Sequence, residues 1–453
     1  MVLAPTVAIP VSPARTTTPP SDLSNSTLSH STLSHSTLSI STRTVELTKR
    51  HLSRGRAKLG DMFGGHVEVE ANGAWLTTSS GERFLNAGGY GVLILGSRHP
   101  VVEAAVIEQI RRRPIASRLF LDQEAALSAE ALARRTPPGL EHVHWVGSGA
   151  EATETAIKMA RSQGRTQLIS TIGGYHGKTM GALSVTGNDL YQAPFQPLLP
   201  AVSFVPYGDA AALEAELARH GDRACLIVEP IQGEAGVRVP PPGYLKRAEE
   251  LCRTTGAFFV VDEILTGLDR LGSWWGCDGE DVRPDVMLVG KGLSGGIVPV
   301  AAAVATEQAY AAFNRDPFIH TSTFAGSPIA MAAARAAVET IDAEGIVDRA
   351  RRIGERLGQS LQRSVADQAP HLVREVRGRG LLWGIEFAGP GLAGEMLLEL
   401  IARNVVVNHS LNAHAVLRLT PPAVMTEGDL DHLESALTGA LRAVATRYPS
   451  VDS

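Results

Sequence analysis

Between residues 142 and 305 the sequence repeatedly sets a short apolar run against a longer amphipathic stretch, and this alternation restricts the fold more than any other feature. The apolar runs lie at 142–146, 167–171, 202–206, 224–228, 258–261, 286–289 and 299–305. Helical spacing separates several of them, as at 152–162, 211–220 and 243–255. Strand–helix alternation over about 200 residues predicts an α/β fold with a mostly parallel, seven-stranded sheet flanked by helices. Ligands of such sheets bind beyond the carboxyl ends of the strands. A long Ala-rich helix is expected over 328–342, and after it the pattern changes. Helix 350–365, strand-like runs 380–387, 405–408 and 416–419, and a final helix 427–448 describe a smaller α+β unit.

The domain expectation follows. Residues 101–342 form the large domain and 343–453 a C-terminal small domain. Residues 46–100, with a hairpin-like 67–84, supply the N-terminal part of the small domain. The first 45 residues are a Ser/Thr/Pro-rich tail that repeats a five-residue unit at 26–30, 31–35 and 36–40. So polar a repeat cannot bury enough apolar area to offset chain entropy, and disorder is expected. The tail is poor in acids, as a transit peptide would be, but arginine is scarce and no amphipathic pattern is visible.

Charge excludes some functions. With 42 basic against 47 acidic residues, nothing argues for nucleic acid or an anionic membrane surface. The apolar runs are about five residues long, against the ~20 that cross a bilayer. Cys225, Cys252 and Cys277 are too few and scattered for a disulfide framework or a zinc site, so no metal is expected and a reducing, cytoplasmic location fits.

Four motifs carry the chemistry. Ser148-Gly149-Ala150-Glu151 follows a strand and opens a helix, with Ser148 and Glu151 spaced as a capping box. The free amides of such a first turn suit a phosphate, although an ordinary capped helix has the same appearance. Gly173-Gly174-Tyr175-His176-Gly177 holds an aromatic between glycines at a strand end, fit to lie over a planar ligand or simply to pack in the core. Asp262 closes the apolar run at 258–261, where a carboxylate needs a cationic partner: a protonated pyridine nitrogen, an Arg or a metal. Lys291 ends the run at 286–289 among glycines, and desolvation there favours the nucleophilic free amine. A phosphate-binding lysine is the other reading, but no P-loop motif is present.

Taken in order, Ser148-Gly149-Ala150-Glu151-Ala152, Tyr175-His176-Gly177-Lys178-Thr179, Glu229-Pro230-Ile231-Gln232-Gly233-Glu234, Asp262-Glu263, Lys291 and Thr323 resemble the class III (ornithine/ω-) aminotransferases of PLP fold type I. The resemblance runs from about Gly60 to about Arg447. Within the class, residues 194–200, 316–324 and Leu411-Asn412-Ala413 look most like putrescine aminotransferases. The resemblance implies pyridoxal 5′-phosphate (PLP) as cofactor, carried as a Schiff base on Lys291, with Lys291 and Asp262 as catalytic residues. It implies cofactor contacts from Ser148, Gly149, Ala150, Tyr175, His176, Glu229 and Ile264, with Thr323 reaching in from the neighbouring subunit of a homodimer. Tyr175 would stack on one face of the cofactor ring and Ile264 pack on the other. Glu234 and Arg418 match a pair through which one pocket serves two substrates, an amine and a 2-oxo acid such as 2-oxoglutarate. Tyr90 falls where ornithine enzymes hold a tyrosine near the substrate.

Three positions depart from that pattern: Leu265 replaces a Gln that bonds the cofactor's 3′-oxygen, Gly147 an Asn, and Leu268-Asp269 a Phe/Met-Gly pair. The expected activity is a ping-pong ω-aminotransferase; a biosynthetic aminotransferase for a longer-chain aldehyde is a second reading. A PLP-dependent aminomutase or racemase needs no second substrate, and Glu234 with Arg418 argues against it. A non-enzymatic relative of the fold would lose the lysine or gain a DNA-binding module, for which the tail is too short.

Overall fold

The computed structural model describes residues 40–450. The expected tail and its repeat lie almost wholly outside the described residues. Where the two overlap, the expectation of disorder fails: a helix covers Ile40–Leu47. The Ser41 hydroxyl ties this helix to the Gly65 carbonyl (2.5 Å), a contact that composition does not register.

Three short strands follow, β1 (Glu68–Asn72), β2 (Trp75–Thr78) and β3 (Arg83–Asn86), so the hairpin read at 67–84 is a three-stranded meander. The central sheet comprises β4 (His142–Val146), β5 (Gln167–Thr171), β6 (Val202–Val205), β7 (Ala224–Val228), β8 (Phe258–Asp262), β9 (Val286–Val289) and β10 (Ala301–Ala305). Every one of the seven expected runs is a strand of this single sheet, in the order β4-β10-β9-β8-β7-β5-β6. Pairing is parallel from β9 to β6, and β10 runs antiparallel to both neighbours. Strands β7 to β10 are buried at every residue, as continuous apolar runs covered on both faces should be. This is the α/β architecture of PLP fold type I.

The C-terminal strands are β11 (Val373–Arg379), β12 (Leu382–Phe387), β13 (Val405–Val406), β14 (Asn408–Ser410) and β15 (Ala413–Leu419). A second sheet, β11-β12-β15-β14, is antiparallel. The run read as one strand at 405–408 is split: β13 pairs with β3 (Val405 opposite Leu85) while β14 joins β15. Through β13 the N-terminal meander is stitched to the C-terminal chain. Strand β11 has no apolar alternation to reveal it. Its Arg377 is buried all the same, donating to the Gly236 carbonyl (2.8 Å) and pairing with Glu386 (2.6 Å).

Sheet order places the motifs. Strands β9, β8, β7 and β5 are consecutive neighbours, so Lys291, Asp262, Glu229 and Tyr175-His176 emerge in a row along one edge. Strand β4 is two antiparallel pairings from β9 and therefore ends on the same side, which brings in the helix Gly149–Ser162.

Asp269 is a fault in this core. It is fully buried at φ +71°, and neither carboxylate oxygen has a hydrogen-bond partner. Burial, reinforced by Asp278 and Asp342, pushes its pKa up to about 8. The unfolded chain releases this proton near pH 4, so between about pH 4 and pH 8 the folded state binds more protons, and stability falls as pH rises through that window. Urea denaturation of the parent is expected to lose several kcal/mol between about pH 5 and pH 8.5 relative to Asp269→Asn, and Asp269→Gly should be more stable still because it also relieves the positive φ. Equal pH slopes for all three proteins would show the carboxyl to be solvated.

Candidate active site

The carboxyl edge of the sheet encloses a cavity of about 250 Å³. Gly149, Ala150, Tyr175, His176, Glu229, Glu234, Asp262, Ile264 and Lys291 line it, together with Gly177, Lys178 and Leu265. Nine of the residues expected at the site thus meet around one space.

Asp262 is 4 % exposed and ends β8. One carboxylate oxygen lies 2.7 Å from His176 Nδ1, and the other accepts the Ile264 N–H at 3.1 Å. Its partner inside the protein is therefore a histidine, not an arginine, and it arrives from the loop after β5. Burial alone would push the His176 imidazole down. The hydrogen bond and charge of Asp262, helped by Glu229, outweigh burial and hold its pKa above the ordinary value. His176 Nε2 is buried with no partner.

Glu229 follows β7 and accepts the Tyr175 N–H (2.9 Å) and the Gly233 N–H (3.3 Å). Burial raises its pKa to about 7, with Asp262 adding and His176 and the two amides opposing. The carboxylate thus fixes the loop that carries Tyr175.

Lys291 sits at φ +43°, a strained setting for a side chain, with its amine directed at the cavity. Burial lowers its pKa, as does Arg418, while Glu234, Asp262 and Glu229 resist. Its amine is therefore readier than a surface lysine's to act as a free base.

Behind the cavity wall, Arg418 on β15 is fully buried, and its Nη1 is 2.7 Å from Glu234 Oε1. The other Glu234 oxygen accepts the Leu411 N–H at 2.9 Å. Leu265 occupies the space between Gly91, Gly233 and the cavity, where a Cβ on either glycine would run into it. No side-chain donor stands at that position.

Three expected residues lie elsewhere. Ser148 is exposed and outside the lining. It caps the helix by accepting the Glu151 N–H (3.3 Å), but the capping box is incomplete because Glu151 takes the Gly147 N–H (2.6 Å) instead of that of Ser148. Tyr90 is 53 % exposed and does not line the cavity, its N–H donating to Asn408 (3.1 Å). Thr323 is exposed on a separate surface hollow, where Arg118 donates to the carbonyls of Ser322 and Thr323. Sequence reasoning missed Arg270, which is fully buried and donates to the carbonyls of Pro421 (2.6 Å), Leu381 (3.3 Å) and Gly91 (3.3 Å), tying three segments around the site. Its only signal was an arginine beside Asp269, flanked by Leu268 and Leu271.

The donor set suits PLP. It offers a desolvated amine for an aldehyde, a buried carboxylate for a ring nitrogen, and the first-turn amides of Gly149 and Ala150 for a phosphate.

Fold and site together define a PLP-dependent transferase. The chain matches the class-III aminotransferase model over residues 61–441 and belongs to that family, whose members are PLP-dependent aminotransferases. It is similar to the ornithine aminotransferase of Toxoplasma gondii ME49, at 30% identity over 91% of this chain and 97% of that one, with a TM-score of 0.84. An amine transaminase from an uncultivated Pseudomonas species, solved in its PLP-bound form, is 28% identical over 84% of this chain and 95% of its own, with a TM-score of 0.76. An (S)-enantioselective omega-transaminase from Thermomicrobium roseum is 26% identical over 90% of this chain and 100% of its own, with a TM-score of 0.82. No helix among the described residues is long and apolar enough to cross a membrane.

Proposed function

We propose that the enzyme is an ω-aminotransferase that moves an amino group from a primary, diamine-like donor such as putrescine to a 2-oxo acid such as 2-oxoglutarate, or in reverse onto an aldehyde. The buried Arg418–Glu234 pair beside Lys291 carries the proposal. An oxo acid with an α-carboxylate needs a cation, and an amine without one needs that cation neutralised. One pocket can meet both demands only if the carboxylate moves, and alternation of the two substrates is ping-pong.

Bound PLP supplies an electron-withdrawing ring that acidifies the C–H beside an attached amine. Lys291 would hold the cofactor covalently through Nζ and, once displaced, carry the proton between carbon atoms. Asp262, braced by His176 and the Ile264 amide, would pair with the ring nitrogen. Gly149 and Ala150 would bind the phosphate, with Ser148 holding the helix start, and Tyr175 and Ile264 would bound the ring. Glu229 would position Tyr175, and Tyr90 would stand at the outer rim of the substrate path.

A homodimer is part of the proposal. Thr323 lies outside its own cavity, among exposed apolar side chains that include Phe120 (83 %), Phe318 (82 %) and Phe324 (68 %). Large exposed apolar side chains of this kind are found at interfaces, and a second copy would bring Thr323 to the neighbour's phosphate. The 46–100 segment is proposed to belong with 343–453 as the small domain, on the strength of the β3–β13 pairing. The buried free thiols Cys225, Cys252 and Cys277 fit a cytoplasmic location.

Leu265 makes part of the cavity wall apolar, which favours the second reading, an enzyme for longer-chain aldehydes. A donor panel decides both points. The PLP form, given putrescine, cadaverine, ornithine, GABA or a longer amine and no oxo acid, should convert to the pyridoxamine form by one equivalent and stop. Continuous turnover on amine alone would overturn the proposal in favour of an isomerase.

A further inference from the structure

The tip of the β14–β15 hairpin, Leu411-Asn412, touches the site without belonging to any expected role. The same hairpin grips both oxygens of Glu234: Arg418 faces Oε1 at 2.7 Å, and the Leu411 amide donates to Oε2 at 2.9 Å. The Asn412 amide adds a bond to the Glu234 carbonyl at 2.9 Å. The tip is in turn clamped from the large sheet's side. The Tyr191 hydroxyl donates to the Leu411 carbonyl (3.0 Å), Asn188 Nδ2 to Asn412 Oδ1 (2.8 Å), and Asn412 Nδ2 to the Gly173 carbonyl (3.1 Å). Lys178 Nζ sits over the Tyr191 ring, 4.0 Å from its centroid.

We infer that this tip is a latch that sets how often Glu234 releases Arg418, and that Tyr191 and Asn188 are positioning residues which tune the balance between amine and 2-oxo acid. The inference rests on the Glu234/Arg418 reading proposed above. To leave Arg418, Glu234 must also give up the Leu411 amide, a charge-assisted bond in a buried site. Anything that lets the tip recede weakens the closed state and raises the fraction of enzyme with Arg418 free. A ligand that needs Arg418 free binds with an affinity scaled by that fraction, and one that needs it neutralised responds in the opposite sense. Because the latch bond comes from a backbone amide, side chains other than proline at 411 neither supply nor remove it. Control passes to the clamp.

The test uses the PLP-loaded and pyridoxamine-loaded holoenzymes in single-turnover half-reactions, followed by the cofactor's absorbance. Tyr191→Phe removes one hydroxyl and keeps the ring beneath Lys178. It is expected to tighten apparent binding of 2-oxoglutarate and weaken that of putrescine so that the ratio of the two constants shifts by about three- to tenfold in all, the weight of one hydrogen bond, with limiting rates unchanged. Asn188→Ala should move both constants in the same directions. Added to Glu234→Ala, Tyr191→Phe should change nothing further, because the latch then has nothing to hold. If Glu234→Ala leaves the ratio of the two constants alone, the switch reading fails and the latch with it. If Glu234→Ala shifts the ratio while Tyr191→Phe and Asn188→Ala do not, or weaken both substrates alike, the latch alone is overturned.

Discussion

Lys291→Ala is expected to cut transamination by on the order of 10³-fold or more, the combined weight of a lost nucleophile and a lost proton carrier. The loss should be chemical rather than structural. The amine faces the cavity, so shortening the side chain leaves the surrounding strands packed. Replacing a lysine at φ +43° with alanine neither adds nor removes backbone strain of that kind. Thermal unfolding should therefore move by no more than a few degrees, while single-turnover conversion of added amine all but disappears. Lysine elsewhere cannot substitute: Lys178 also lines the cavity but sits over the rings of Tyr175 and Tyr191.

Asp262→Ala should be the next most damaging change, and it should damage fold and function together. Removing one partner of a buried pair costs about 3–5 kcal/mol because the other is left uncompensated. Here the survivor is His176, 2 % exposed, whose Nε2 already lacks a partner and whose Nδ1 would lose its only one. Its raised pKa depends on Asp262, so the variant's imidazole should give up its proton more readily than the parent's. The stabilisation from this pair is fully present below the unfolded histidine pKa and fades as pH rises through the higher folded value, so the deficit of Asp262→Ala should be largest at mildly acidic pH. Turnover is expected to fall by about 10²- to 10³-fold, since the ring nitrogen loses its counter-charge. Asp262→Asn separates the effects: it keeps the shape and the Ile264 contact, and should fold well yet turn over as poorly as Asp262→Ala. Parent-level turnover in Asp262→Asn would remove the carboxylate from the chemistry.

The parts of this molecule legible in its sequence were those where one physical demand dominates. Strands β7 to β10 are covered on both faces, so each is an unbroken apolar run, and the ends of those runs located Asp262 and Lys291. Strand β11 escaped because its buried Arg377 reads as a surface charge until the Gly236 carbonyl and Glu386 come into view. The 405–408 run read as one strand because nothing local says that β13 and β14 serve different sheets. Pairings over long separations were equally hidden. His176 and Asp262 are 86 positions apart, and only the adjacency of β5, β7 and β8 joins their loops. The Leu411 contact to Glu234 is made by a backbone amide, which no residue type announces. Thr323 and Tyr90 illustrate another gap, since neither lines the cavity around which the other motifs meet.

Borohydride reduction of the resting, PLP-loaded enzyme, followed by peptide mapping, tests the central claim most directly. Reduction fixes the C=N link to the cofactor as a stable secondary amine, so the peptide spanning Gly290-Lys291-Gly292 should carry the pyridoxyl mass at Lys291, with one label per chain. A label on Lys178 or any other lysine, or an enzyme that keeps its cofactor and acquires no label, would contradict it.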